Sequence, residues 1–183
     1  MHPFRPHEDG WIFERMVRAD AIILSTLMIR RTCLQGIGFF REGIPVCEDY
    51  EFKLRLAKGY EVAYQPRILA RYRYHDANLS GDEVRVRMND YRLIRDLSVH
   101  LDIPESLRRR TLSTIKYYLA RARFLRGDPE FREDLRESIA WNRRNLRPWV
   151  LRLLSPFPSS VFRAIESFSL GIWRSYQKIA CGR

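Results

Sequence analysis

The sequence has few of the features that mark secreted, membrane-spanning or zinc-stabilised proteins. Its three cysteines, Cys33, Cys47 and Cys181, form no C-x-x-C pair, which argues against a disulfide framework and a structural zinc site. The longest nearly continuous apolar run, 21–29, is far shorter than the ~20 residues that cross a bilayer. The N-terminus lacks the apolar stretch of a secretory signal. We therefore expect a cytoplasmic protein with reduced thiols.

Motifs that bind nucleotide phosphates are also missing. Neither G-x-x-x-x-G-K nor G-x-G-x-x-G occurs in the chain, so it lacks the glycine-rich loops of P-loop and dinucleotide-binding proteins. Serine, histidine and aspartate are present, but no nucleophile elbow accompanies them. The sequence therefore lacks the common signatures of P-loop proteins, dinucleotide-binding proteins and serine hydrolases.

The composition is that of a globular protein with one ordinary core. Of the 183 residues, 45% are hydrophobic and 13% are aromatic. The net charge of +11 is unevenly distributed, because 1–90 carries 14 Lys and Arg against 13 Asp and Glu, whereas 91–183 carries 19 against 9. The basic character therefore belongs to the second half.

The first half has the short, punctuated apolar runs of a mixed α/β structure. Three segments are predicted to form strands: 21–29, 61–64 and 68–74. Glu48 opens a predicted helix whose acidic first turn suits the helix dipole. We expect this helix to end at Gly59, because glycine tolerates a left-handed backbone.

The second half changes to helical spacing almost throughout. The predicted breaks are Pro104, 127–129, Pro148 and 156–158. Both this change and the change in charge fall near 80–90. We therefore predict an α/β unit over 1–81 and a basic helical appendage over 82–183.

The helix from Glu48 carries acidic side chains that point in different directions. The spacing of four and then three residues predicts that one charged outer face is formed by Glu51, Arg55 and Lys58. Glu48, three residues before Glu51, joins this face. Asp49 lies three residues before Phe52 and seven before Leu56, which places it on the apolar side. A carboxylate at a helix N-terminus can accept a proton from an attacking hydroxyl. The alternative is that Glu48 and Asp49 only cap the helix.

Three ordered segments of the first half resemble the family 2 glycosyltransferases. In chain order the similar segments are 25–31 with the glycine loop 36–39, then 44–64, then 70–80. The middle segment contains Glu48 and Asp49, which match the E-D motif of the family. The resemblance covers about 10–81.

The resemblance implies an inverting enzyme of GT-A fold. Such an enzyme transfers a sugar from a nucleotide-sugar donor to a hydroxyl of a glycan or lipid-linked acceptor. By resemblance, Asp49 is the base that deprotonates the acceptor, Glu48 is a supporting acid, and His75 is a ligand in the metal–diphosphate site. The implied cofactor of the complete enzyme is Mn²⁺ or Mg²⁺, which would stabilise the leaving diphosphate.

The sequence also departs from the family pattern. The nucleotide-binding half, which ends in a D-x-D metal motif, has no counterpart here. An acid that often follows the glycine loop is displaced, because Arg41 and Glu42 follow Phe40. We therefore expect only the acceptor-side half, with weak or no metal binding and no sugar transfer by this chain alone.

The end of the chain has a pattern that suits a membrane surface. A continuous apolar stripe recurs at three- and four-residue steps over 161–179, with Arg174 and Lys178 beside it. Trp173 and Tyr176 suit the headgroup level of a bilayer. These features predict peripheral association with an anionic membrane surface, as part of the enzyme or as a non-catalytic docking module. The alternative is that the stripe packs on the α/β unit.

Clustered arginines also raise the question of nucleic-acid binding. The runs 108–110 and 143–144 lie near Trp141 and Trp149, a combination that can contact phosphates and stack bases. No nucleic-acid-binding motif accompanies them. Arginines on solvated helix faces are commoner, so we expect no nucleic-acid partner and keep this function as a distant alternative.

Overall fold

The structure of the protein, a computed structural model, describes residues 9–20, 22–44, 47–65, 67, 70–71, 73, 81–165 and 167. The helices in this part are α1 (Phe13–Arg18), α2 (Arg31–Ile37), α3 (Glu48–Gly59), α4 (Glu83–His100), α5 (Glu105–Arg126), α6 (Phe131–Trp141) and α7 (Leu146–Leu154). A 3₁₀ turn spans Leu24–Thr26, and residues 159–165 are also helical.

The α/β unit of GT-A type predicted for 1–81 is wrong, because no strand or sheet occurs among the described residues. The pairing that comes nearest to a sheet is an isolated antiparallel bridge between Gly10 and Val62. Its two N–O distances are 2.7 and 2.9 Å. The predicted strand 61–64 therefore contributes one bridge residue and no ladder. Most of the predicted strand 68–74 lies outside the described residues.

The strand predicted over 21–29 is wrong, and the structure shows the physical reason. Its backbone is extended at Ile23 and Leu27, but the 3₁₀ turn lies between them. The turn satisfies its own polar groups, since the Leu27 N–H donates to the Leu24 carbonyl at 3.0 Å and the Thr26 hydroxyl donates to the Ile23 carbonyl at 2.7 Å. A strand needs a neighbour to pair with its N–H and C=O groups. No described segment supplies one, so apolar character alone does not make a strand here.

The predicted helix beginning at Glu48 is confirmed as α3. The helix ends at Gly59 as predicted, but the left-handed backbone expected there is wrong, because Gly59 is helical and the chain leaves through Tyr60 in an extended conformation. The left-handed residue lies instead at the other end, where Cys47 has φ 70° and ψ 22°. This conformation is uncommon for a residue other than glycine, asparagine or aspartate.

The helical character predicted for the second half is confirmed over the residues that the structure describes there, 82–165 and 167, and most of the predicted breaks occur as expected. Gly127 ends α5 with φ 75° and donates to the Phe124 carbonyl at 3.1 Å, as in a glycine-terminated helix. The break predicted at Pro148 is wrong, because Pro148 lies in the first turn of α7. At that position a missing N–H costs no helical hydrogen bond. Asn145 caps this helix by accepting from the Arg147 N–H at 3.2 Å.

The larger hydrophobic core fixes α3 against α1, α4 and α5. Its buried side chains come from α1, α3, α4 and α5, and include Met16, Val17, Tyr50, Leu54, Ala57, Ile94, Leu97, Leu107, Leu112 and Ile115. Leu54 of α3 and Ile94 of α4 are fully buried in it. Truncating such a leucine to alanine costs about 2–5 kcal/mol. The helix that carries the candidate site is therefore held by α1 and by the helical second half.

A second core joins α5, α6 and α7. The Phe124 ring packs edge-on against Phe131 and Phe162, with centroid separations of 5.1 and 5.7 Å. Leu151 of α7 and Leu135 of α6 are buried beside them. These contacts fix α7 and the following helical residues on the α5–α6 pair.

A buried ion network also links α5 to α6. Lys116 Nζ lies 2.9 Å from Asp134 Oδ1 and 3.0 Å from Glu137 Oε2. Arg123 Nη1 lies 2.7 Å from Asp134 Oδ2. Burial lowers the pKa of Lys116, but its hydrogen bonds to Asp134 and Glu137 outweigh burial and leave the pKa raised. Asp134 therefore makes it possible to bury two cations between these helices.

The described helices also bear on membrane topology. None of them combines the length and the apolar composition that crossing a bilayer requires.

Candidate functional site

The two residues of the E-D motif occupy the first turn of α3. Glu48 is exposed, whereas Asp49 is partly buried with 33% of its side chain accessible. The predicted difference in direction between these two acids is therefore present in the structure. The residue before them, Cys47, holds the left-handed conformation described above. Strained backbone of this kind persists where the surrounding structure fixes it, and it is frequent at functional sites.

Asp49 forms an ion pair with a buried lysine one turn later. Lys53 Nζ donates to Asp49 Oδ2 at 2.8 Å, to Asp20 Oδ2 at 2.6 Å and to the Ile22 carbonyl at 2.8 Å. Lys53 is only 2% exposed, while Asp20 and Asp49 each leave one-third of the side chain accessible. A buried ammonium is thus shared between two carboxylates that remain open to solvent. Asp49 therefore does more than cap the helix, because its carboxylate pairs with the Lys53 ammonium.

Asp20 is a site residue that the sequence analysis missed. Partial burial raises the pKa of its carboxyl, the ammonium of Lys53 opposes that rise, and repulsion from Asp49 adds to it. The two carboxylates therefore compete for one cation. The i, i+4 spacing of Asp49 and Lys53 could have predicted their ion pair, but Asp20 lies 33 residues before Lys53.

A second polar layer lies behind Cys47 and connects α3 to α4. The Cys47 thiol donates to Asp90 Oδ1 at 3.6 Å, and Arg87 Nη1 donates to Asp90 Oδ2 at 3.0 Å. Burial, together with the charge of Asp90, raises the pKa of the Cys47 thiol to about 12. Burial also raises the pKa of Asp90, against the attraction of Arg87. The thiol is therefore a neutral hydrogen-bond donor rather than a nucleophile.

The charged outer face predicted for α3 is wrong at Glu51. This side chain is fully buried, and its two oxygens accept from Arg55 Nε at 2.7 Å and Arg55 Nη2 at 2.9 Å. Arg55 also donates to the carbonyls of Ile37 and Phe39. The pair is buried because the segment after α2 covers it, and the ring of Phe40 packs on Phe52 at 4.6 Å. Arg55 therefore fixes the end of α2 and the residues after it next to α3. The loop predicted to begin at Gly36 is wrong at its start, because Gly36 and Ile37 belong to α2.

The metal site implied by resemblance is not formed by the described part of the chain. His75 lies outside the described residues, so its role as a ligand stays a prediction. Elsewhere in the described ranges, no three His, Cys, Asp or Glu side chains come together as metal ligands. Lys53 occupies the space between Asp20 and Asp49, which does not suit a divalent cation. The fit of these residues to Mn²⁺ or Mg²⁺ is therefore poor.

Several large apolar side chains are exposed around the predicted glycine loop and the segment before it. Met28 is 95% exposed and Phe39 73% exposed. Phe40, Ile23 and Leu24 are exposed to a lesser extent. Large apolar side chains concentrated on one stretch of chain commonly mark an interaction surface.

Comparisons with known proteins give no relative for this chain. No protein-family model, curated protein or solved structure matches it. The chemistry of the site therefore rests on its residues and their geometry, together with the sequence resemblance.

Proposed function

We propose that this chain is the acceptor-side part of an inverting glycosyltransferase and that Asp49 is its general base. The observation that carries the proposal is the position of Asp49 in the first turn of α3. There its carboxylate is one-third accessible and is held by the buried ammonium of Lys53. Glu48, the other acid of the motif, is exposed beside it.

The surroundings of Asp49 hold its carboxylate in place and leave one of its oxygens for an acceptor. The N-terminal end of α3 and the Lys53 ammonium both attract the carboxylate. Lys53 binds Oδ2, and no described donor contacts Oδ1. An acceptor hydroxyl that donates to Oδ1 would transfer its proton to Asp49 as its oxygen bonds to the anomeric carbon of the sugar. The bond to the leaving nucleoside diphosphate breaks with its electron pair, and attack from the opposite face inverts the carbon.

The exposed apolar residues support the same proposal. A transferase needs a donor-binding surface next to its acceptor base, because catalysis depends on holding both substrates together. Met28 and Phe39 lie on segments that flank α2 and present apolar surface that no described residue covers. We place the donor-binding part against this surface, within a longer protein or in a second chain.

The proposal is tested by sugar transfer in the longest protein product that contains this sequence. Asp49→Asn is expected to lower transfer from a panel of nucleotide-sugars by about 10²–10⁴-fold, as loss of a general base does. Donor binding, measured by calorimetry on the same protein, should be nearly unchanged. Glu48→Gln should reduce transfer only a few-fold, because Glu48 is exposed. Transfer by Asp49→Asn within a few-fold of wild type would remove Asp49 from this role.

A further inference from the structure

Four arginines line one cleft in the helical second half of the chain. The cleft lies between the first turns of α5 and the turn that joins α6 to α7, and its volume is about 640 Å³. Its basic lining residues are Arg109, Arg110, Arg143 and Arg144. Trp141 forms part of the wall, with the guanidinium of Arg109 6.0 Å from its ring centroid. The volume is within the range of about 300–1,000 Å³ that is typical of ligand sites.

The positive charge of this cleft is poorly neutralised by the protein. Arg109 approaches Glu105 only at 3.9 Å, because Arg108 binds that carboxylate at 2.7 Å. Arg110 donates to the Ser106 carbonyl at 3.0 Å. Arg110, Arg143 and Arg144 form no ion pair within the described ranges. In the sequence, 138–165 contains five arginines and no Asp or Glu. Unpaired guanidinium groups that converge on one cleft favour an anion, and their planar forks suit phosphate oxygens.

An apolar stripe on α7 begins beside the cleft. Leu146, Val150 and Leu153 are spaced four and three residues apart, and they are 72%, 51% and 75% exposed. The opposite face of α7, with Leu151, is buried in the second core. The Trp149 indole donates to the Arg143 carbonyl at 3.2 Å, which ties the stripe to the wall of the cleft.

We propose that the arginine cleft and the α7 stripe together dock the protein on an anionic phospholipid bilayer. The cleft binds lipid phosphate groups, while Leu146, Val150 and Leu153 enter the headgroup–acyl boundary. Charge complementarity selects the occupant, since the surface is basic over 138–165 and the inner leaflets of cell membranes are anionic. An RNA ligand would use the arginines but would leave the aliphatic stripe exposed. The docking surface differs from the predicted stripe over 161–179, most of which lies outside the described residues.

Vesicle co-sedimentation of the full chain tests the arginine cleft. The vesicles are phosphatidylcholine alone or an equal mixture with phosphatidylglycerol. The Arg143→Gln/Arg144→Gln variant should bind the mixed vesicles about 30-fold more weakly, or roughly 5-fold for each arginine. The charge-matched control, Arg85→Gln/Arg92→Gln, removes two exposed arginines of α4 and should bind nearly as well as wild type. An equal loss in both variants would show unspecific attraction and overturn the proposal.

A second variant and its control test the apolar stripe on α7. Leu146→Ser/Leu153→Ser should weaken binding to both kinds of vesicle at least tenfold, because these side chains contribute buried apolar area. Val99→Ser on α4, which removes a residue that is 79% exposed, should change binding little. Circular dichroism confirms that each variant is folded.

Other ligands would contradict the proposal in distinguishable ways. Inorganic phosphate at millimolar concentration should not displace the chain from vesicles, so displacement would identify a free-phosphate site. A single-stranded RNA that binds wild type but not Arg143→Gln/Arg144→Gln, with no vesicle binding, would identify a nucleic-acid surface. Absence of binding to any vesicle would overturn membrane docking.

Discussion

Replacing Asp134 by asparagine tests the buried ion network that joins α5 to α6. The substitution keeps the size of the side chain but removes the charge that lies 2.9 Å from Lys116 and 2.7 Å from Arg123. The Asp134 side chain is 3% exposed, and the side chains of Lys116 and Arg123 are 10% and 12% exposed. Water can therefore solvate these two cations only poorly once the carboxylate is removed. Breaking a buried ion pair costs about 3–5 kcal/mol.

The remaining acids reduce this cost. Glu137 lies 3.0 Å from Lys116 and Glu130 lies 2.7 Å from Arg123, but both carboxylates are partly exposed, at 39% and 65%. We therefore expect Asp134→Asn to lower the free energy of unfolding by about 2–4 kcal/mol. At roughly 2–4 °C per kcal/mol for a chain of this size, the melting temperature should fall by about 4–16 °C.

Thermal and urea denaturation followed by far-ultraviolet circular dichroism measure both quantities. The matched control is Glu133→Gln, one residue earlier in α6, whose ion pair with Arg136 is exposed on both sides. An exposed pair contributes about 0–1 kcal/mol, so this variant should melt close to wild type. A melting temperature of Asp134→Asn equal to that of Glu133→Gln would refute the argument from burial.

Three further predictions concern the polar groups near the site and at α7. In a chain whose other two cysteines are serine, Cys47 should react with a thiol reagent at mildly alkaline pH roughly 10³-fold more slowly in the native state than in urea. The reason is that its pKa is raised from 9.0 to about 12, and equal rates would contradict it. Because the folded pKa of Asp90 is raised, its contribution to stability is present at acid pH and is lost as pH rises through that pKa. The stability of wild type relative to Asp90→Asn should therefore decrease from acid to neutral pH, and a difference independent of pH would contradict the assignment. Asn145→Ala should cost about 1–2 kcal/mol in urea denaturation, since Asn145 caps α7 and donates to Ser113 at 3.0 Å.

The sequence predicts helices here more reliably than strands, for a physical reason. The hydrogen bonds of α3 join residues within the helix, so its acidic first turn and apolar spacing are enough to define it. The bonds of a strand depend on a neighbour, and the pattern over 21–29 contains no information about whether that neighbour is present. The pattern over 61–64 likewise does not show whether a neighbouring strand is present, and this segment forms a single bridge.

The candidate site was predictable only in its local part. The spacing of Asp49 relative to Phe52 and Leu56 placed it on the inner side of α3, and the structure finds it partly buried there. Asp20 follows the end of α1 and Asp90 lies in α4, and both reach the site only through the tertiary fold, so no local pattern reveals them. The spacing of Glu51 with Arg55 and Lys58 predicts a charged outer face, but the bidentate pair with Arg55 allows Glu51 to be buried.

The arginine cleft shows how a tertiary contact changes the interpretation of a motif. In the sequence, 108–110 and 143–144 are two separate basic runs, for which solvated helix faces are a sufficient explanation. Packing of α5 against α6 brings both runs to one cleft beside Trp141. The exposed stripe on α7 could be recognised only once Leu151 was seen in the core.

The central claim, that Asp49 is a base, is tested most directly by comparing Asp49→Asn with Asp20→Asn in the sugar-transfer assay. Both aspartates bind Lys53 Nζ, at 2.8 and 2.6 Å, and both side chains are one-third exposed. A loss that comes only from removing a partner of Lys53 should therefore be similar in the two variants. The account predicts a turnover about 10²–10⁴-fold below wild type for Asp49→Asn and within tenfold of wild type for Asp20→Asn, at equal melting temperatures. Equal turnover in the two variants would show that Asp49 only neutralises Lys53 and would contradict the account.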